Sequence, residues 1–79
     1  MKLLVRNLAR TTTEQELRVL FSEHGSVTVC NLVLDQETGL SKGFAFVEMP
    51  NDEEAKVALE ALNMASVAKS KIRVRIADK

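Results

Sequence analysis

Apolar and polar positions alternate along four stretches of this chain and recur at helical spacing along two others. In Leu3–Leu8 the alternation is imperfect, but a strand there turns Leu3 and Val5 to one side and Leu4 and Arg6 to the other. Thr13-Glu14-Gln15-Glu16 has the capping-box spacing, and Leu17, Leu20 and Phe21 follow at i, i+3, i+4. A helix is predicted, with Gly25 placed to end it in the left-handed conformation. Val27–Leu34 is rich in β-branched and aliphatic residues and predicts a second strand, with Cys30 and Leu32 inward and Asn31 and Val33 opposite. After the loop Asp35–Ser41, turned at Gly39, a strand over Lys42–Met49 puts Ala45, Val47 and Met49 inward. Pro50 closes it, and Asn51-Asp52-Glu53-Glu54 opens a second helix with Ala55, Ala58, Leu59 and Leu62 on its apolar face. Met64–Ser70 predicts an irregular loop or small hairpin. Ile72–Ile76 predicts a last strand with Ile72, Val74 and Ile76 inward and Arg73 and Arg75 outward.

The order is strand-helix-strand-strand-helix-strand. Right-handed crossovers then lay both helices on one face of a four-stranded antiparallel sheet, an α+β fold of the ferredoxin-like kind. The other face stays open, and its most informative contributor is the third strand. Phe44 and Phe46 share that face with Lys42 and Glu48. Two neighbouring phenylalanines exposed together mark a binding surface. They sit about 6.6 Å apart along a strand, a spacing that suits bases or sugars of a single strand laid across the sheet.

These same residues carry a resemblance. Lys42-Gly43-Phe44-Ala45-Phe46-Val47-Glu48-Met49 resembles the octamer of the RNA recognition motif at every position except the last, Met49. Leu3-Leu4-Val5-Arg6-Asn7-Leu8 resembles the family's hexamer on the first strand, with Leu4 where an aromatic residue usually stacks a base. The resemblance runs from Leu3 to about Ala77. It implies the spatial strand order 4-1-3-2, which sets the two motifs side by side on the central strands. It implies that Phe46 stacks a base, that Phe44 packs on riboses or a second base, and that Lys42 meets a phosphate. Arg6, Arg73 and Arg75 then serve as phosphate contacts or stacking guanidinium planes. Asn31, Val33 and the tail Ala77-Asp78-Lys79 border the platform, and Asp35–Ser41 could clamp one side. The Met64–Ser70 connection lacks the glycines usual in the family. A chain of this size is similar to the short single-domain RNA-binding proteins of bacteria.

Composition changes the picture in three places. At 79 residues there is room for one domain, spanning residues 1–79, and no second. The net charge is zero, yet the charges divide by face. Arg6, Lys42, Arg73 and Arg75 stand against Glu48 on the open side. The helices and their caps carry Glu14, Glu16, Glu23, Asp52, Glu53, Glu54 and Glu60 against Arg18 and Lys56. Phosphates should approach the sheet and be repelled by the back. The single cysteine, Cys30, excludes an internal disulfide and a multi-cysteine zinc site, and its apolar neighbours suit a buried thiol in a reducing compartment, with the cytoplasm expected and the nucleus left open. Arg6 and Asn7 cut the first apolar run too short for a signal peptide, and no run is long enough to span a membrane.

The expected function is therefore binding of single-stranded RNA, with single-stranded DNA an open alternative, by a monomer that needs no cofactor, metal or membrane. No enzyme is expected. One histidine and one cysteine lie in different elements, and no loop resembles a phosphate cradle, which speaks against an acyl-phosphate hydrolase on the same fold. His24, at the end of the first helix, reads as a helix-end or core-edge residue, and Asn7 as a strand-end residue bonded to local backbone. The alternative function is a protein–protein interaction module that uses the helical face. The aromatic shortfall at Leu4 and the neutral total charge favour that alternative, and the intact Lys42, Phe44 and Phe46 favour RNA.

Overall fold

The computed structural model describes residues 1–77 and folds them as β1 (Lys2–Arg6), α1 (Glu14–Ser22), β2 (Val29–Leu34), β3 (Ser41–Glu48), α2 (Asp52–Leu62), β4 (Ser66–Val67), β5 (Ser70–Lys71) and β6 (Arg73–Ile76). Four strands form one antiparallel sheet in the order β2-β3-β1-β6, which is the expected 4-1-3-2. The Met64–Ser70 connection holds the small hairpin, β4 paired with β5.

Each helix begins where its sequence signals it. Thr13 Oγ1 accepts from the Glu16 N–H at 3.2 Å, and the Thr13 N–H donates to Glu16 Oε1 at 2.8 Å, so the capping box is closed in both directions. Asn51 Oδ1 accepts from the Glu54 N–H at 3.0 Å and caps α2, whose first turn holds Asp52, Glu53 and Glu54 against the positive end of the helix dipole.

The core lies between the helices and one sheet face. Leu3, Val5, Ala45, Val47, Met49 and Ile72 are fully buried with Leu17 and Phe21 of α1 and Ala55 and Ala58 of α2. Every one is aliphatic, sulfur-bearing or small except Phe21, as expected if the other two aromatics lie outside. Cys30 is buried here, its Sγ–H donating to the Glu14 carbonyl at 3.6 Å. Burial, and then the nearby Glu14 carboxylate, push its thiol pKa upward against a smaller opposing effect of Arg18, so the thiolate is disfavoured.

Three expectations are corrected. Ile76 has the parity of Ile72 and Val74 but is 52% exposed, because it is the last residue of an edge strand and has no strand beyond it. Gly25 is not a left-handed helix cap. Helix α1 ends on Glu23 in right-handed geometry, and Gly25 has an extended φ of 159°. A Cβ there would lie 2.5 Å from the Glu54 Cβ, so glycine is required by the close passage of α2, not by the helix end. Asn7 does bond to backbone, but not locally: it adopts φ 61° and its Nδ2 donates to the Lys71 carbonyl at 2.6 Å, tying the end of β1 to β5.

Candidate nucleic-acid interface

Antiparallel pairing sets the open face out in rows. Across the middle, Asn31 of β2 is the partner of Phe46 of β3, Phe46 is the partner of Leu4 of β1, and Leu4 is the partner of Arg75 of β6. One row therefore reads Asn31–Phe46–Leu4–Arg75, with neighbouring side chains about 5 Å apart at their Cβ atoms. To one side Lys2 faces Glu48, and to the other Arg6 faces Arg73. None of the row's four residues is buried.

The two rings are half-exposed and touch each other. Their centroids are 6.2 Å apart with an interplanar angle of 87°. Perpendicular rings cannot both lie flat on the sheet, so at most one offers a horizontal stacking surface at a time. The other presents an edge, which suits packing against sugar. An edge-to-face pair of this kind contributes about 0.5–1.5 kcal/mol beyond its buried area, enough to hold the rings in this arrangement without a ligand.

Gly43 lies between Lys42 and Phe44 at an irregularity of the sheet. The pairing of β2 with β3 shifts between Leu32 and Leu34, and Gly43 lies in the bulged stretch opposite with φ 87°. Its carbonyl accepts from the Leu8 N–H at 2.9 Å, so the bulge is locked to the end of β1. The shift leaves Val33 unpaired and half-buried, outside the middle row, beside Lys42 and Asp35. Val33 thus lies toward the hairpin tip and away from the middle row. Ala77 donates its N–H to the Lys2 carbonyl at 2.7 Å and extends the pairing of β6 by one rung, while Asp78 and Lys79 lie outside the described residues.

The cations are exposed and gather in two grooves. Arg6, Asn7, Arg73 and Arg75 line one of about 470 Å³ at the β1–β6 edge. Arg6, Arg10, Lys42 and Phe44 line a smaller one of about 280 Å³. Among the described residues, none of these cations is within ion-pairing distance of a carboxylate. Arg6 opposite Arg73 is a like-charge pair, which costs stability in a bare sheet.

Two site residues escaped the reading of the sequence. Lys2 shares the parity of Leu4 and Arg6, and its Nζ stands 6.0 Å from the centroid of the Phe46 ring. The alternation of β1 carried that signal, one residue earlier than the stretch was read. Arg10 sits in a connection without periodicity and reaches Lys42 and Phe44 only through the fold.

The hairpin tip has its own order. Asp35 Oδ1 accepts from the Glu37 N–H at 2.8 Å and the Thr38 N–H at 3.1 Å, and these two bonds hold its carboxyl below the ordinary value. Gly39, at φ 75°, donates its N–H to the Asp35 carbonyl at 2.8 Å and completes the turn.

An open, aromatic and basic sheet backed by two helices defines the class, and comparison with known proteins agrees. The family model for the RNA recognition motif matches residues 3–73, and the chain belongs to that family. The chain is 40% identical over 77 residues to the chloroplastic RNA-binding protein CP31B of Arabidopsis thaliana, covering 98% of this chain and 27% of that protein. It is similar in structure to the crystal structure of RNA-binding protein PG1, with a TM-score of 0.95 and 35% identity over 100% of this chain and 95% of that one. It is also similar to a Sex-lethal protein in complex with RNA, with a TM-score of 0.93 and 31% identity over 99% of this chain and 47% of that one. The chain thus spans about a quarter of the length of the Arabidopsis relative. No helix among the described residues is long and apolar enough to cross a membrane.

Proposed function

We propose that the chain binds single-stranded RNA on the open sheet face. The carrying observation is the row Asn31–Phe46–Leu4–Arg75, with half-exposed Phe44 beside it and, among the described residues, Arg6, Arg10, Lys42 and Arg73 gathered on the Phe44 side without a carboxylate in ion-pairing distance. Phe46 offers the flat ring on which a base stacks, and Phe44 stands against the sugar. Lys42, Arg10, Arg6 and Arg73, all on the Phe44 side of the row, meet phosphates. Lys2, now over Phe46, swings aside as a base arrives and meets a phosphate in turn. Asn31 and Val33 border the path on the β2 side. Family membership and the RNA-bound neighbour support the same ligand class.

Leu4 has no π face, and base–aromatic stacking is worth about 1–3 kcal/mol per base. Affinity is therefore expected to be roughly 5- to 150-fold below that of a relative with an aromatic at that place. Binding should be sensitive to salt, because phosphate contacts release counterions. The domain acts as a monomer with no cofactor, in a reducing compartment such as the cytoplasm, where the buried Cys30 stays a free thiol.

Titration with a short mixed-sequence RNA, followed by amide NMR, tests the proposal. Shifts are expected in Leu3–Leu8, Lys42–Met49 and Ile72–Ala77. Shifts confined to Thr13–Glu23 and Asn51–Asn63 would instead place the contact on the helical face, as a protein-binding module would have it.

A further inference from the structure

We infer that Arg75 supplies the second stacking surface of this face, its guanidinium taking over Leu4 the part that a ring on β1 would play. The inference rests on the RNA-binding proposal and adds to it which side chain seats the second base. Three observations carry it. First, register: Arg75 is the cross-strand partner of Leu4, and Leu4 is in turn the partner of Phe46, so the guanidinium and the ring flank one leucine in a single row. Second, exposure: Leu4 is half-buried between them while Arg75 is exposed, so the aliphatic stem of the arginine has an apolar floor to lie along with its head left outside. Third, the neighbours differ. Arg6 and Arg73 face each other, two cations across one rung. Arg75 lines the same groove as those two but has no cation as its cross-strand partner: its partner on β1 is the apolar Leu4.

The chemistry follows from the planarity of the group. A guanidinium is flat, delocalised and weakly hydrated, and it stacks on a π face; an ammonium of the same charge does not. A base seated on Phe46 and a second seated on Arg75 would lie side by side along the row, with Leu4 as the floor beneath the arginine stem. The row then offers two platforms of different kind, one ring and one cation, in place of two rings.

Charge and stacking are separated by Arg75→Lys, measured against Arg73→Lys with the same short mixed-sequence RNA at several salt concentrations. Arg75→Lys is expected to weaken binding by at least about 5-fold, the lower end of one lost stack, while the dependence of log Kd on log salt keeps its slope because the charge is retained. Arg73→Lys is expected to change affinity less than 2-fold, by the order of magnitude for a retained phosphate contact. Leu4→Phe should tighten the unaltered chain and remove most of the Arg75→Lys loss, since a ring then occupies the seat. Equal, small effects of both lysine variants overturn the inference and leave the RNA-binding proposal standing. So does an Arg75→Lys loss that persists undiminished in the Leu4→Phe background. No binding by the unaltered chain overturns the RNA-binding proposal and this inference with it.

Discussion

The two faces of the sheet are built from alternate residues of the same strands, and they obey different rules. On the helix side Leu3, Val5, Ala45 and Val47 have no exposed surface at all. On the other side Leu4, Phe44 and Phe46 are each half-exposed, among cations. The inner face gains by excluding water from contiguous apolar surface, so its residues are judged by volume and fit. The outer face leaves Leu4, Phe44 and Phe46 partly uncovered and sets Arg6 opposite Arg73, a like-charge pair that lowers the stability of the isolated domain. A difference of one position along the strand therefore separates residues that fold the chain from those proposed to bind RNA.

The largest effects should break the inner face. Leu3→Ala removes a fully buried side chain at a cost of about 2–5 kcal/mol. A domain this small has only about 3–5 kcal/mol to lose, so urea unfolding should show a mostly unfolded or barely stable variant. Phe46→Ala is a larger truncation by atoms removed, yet it should leave the fold intact and lower RNA affinity by about 1–3 kcal/mol. Circular dichroism and binding measured on the same sample check both halves. An unfolded Phe46→Ala would mean that the ring supports the core and that the two faces are not separable as described.

How far this division was legible in the sequence depends on period. In β3 the alternation is strict on both sides of Phe46, and the sequence placed Ala45, Val47, Phe44 and Phe46 where the structure has them. In β6 the same rule put Ile76 inward and failed, because parity states which way a side chain points and not whether anything lies there to cover it. Gly25 was open to two explanations, a left-handed helix end or a close approach. Only the crossing of Glu54 from 29 residues away decides between them, and nothing local encodes that. Arg10 illustrates the same limit at the site. Its connection has no periodicity, and its nearness to Phe44 comes from the lock between Leu8 and Gly43. The row Asn31–Phe46–Leu4–Arg75 needs the register of three strand pairs, which the sequence suggests only through the family's strand order.

A second comparison, between the two hairpins, predicts a smaller effect. The β2–β3 hairpin meets its demand for positive φ with Gly39. The β4–β5 hairpin closes in two residues, Ala68 and Lys69, at φ 51° and 70°, as a primed turn requires, and neither is a glycine or asparagine. Left-handed backbone costs an ordinary L-residue about 1–2 kcal/mol. Glycine relieves that cost and adds about 0.5–1 kcal/mol of its own ordering entropy. Lys69→Gly should therefore raise stability by up to about 1 kcal/mol, read as a higher urea midpoint with an unchanged slope. It should leave RNA binding unaltered, since the turn lies away from the middle row. A lower midpoint would mean that the turn is not strained as its dihedrals imply.

The smallest expected effect lies at the tip of the glycine-bearing hairpin and is set by pH. The Asp35 carboxylate accepts the Glu37 and Thr38 N–H groups, and these bonds depress its pKa below the ordinary 3.8. A group whose pKa is lower folded than unfolded stabilises the fold above its unfolded value and loses that contribution as pH falls through its folded value. The tip should thus stay ordered at neutral and mildly acidic pH and loosen only in strong acid. The carboxylate lies at the surface of a hairpin tip, so solvent screening keeps the contribution local, and the midpoint of global unfolding should hardly move. The measurement is an NMR titration of the Glu37 and Thr38 amides. Both should shift together with a midpoint below 3.8, and in Asp35→Asn that transition should vanish while the Phe44 and Phe46 amides keep their positions. A midpoint at or above 3.8 would show that the two N–H groups do not hold the carboxylate in solution. The loop beside Lys42 would then rest on its backbone bonds, from the Asp35 N–H to the Leu40 carbonyl and from the Gly39 N–H to the Asp35 carbonyl, and the clamp proposed for Asp35–Ser41 would lose the carboxylate's support.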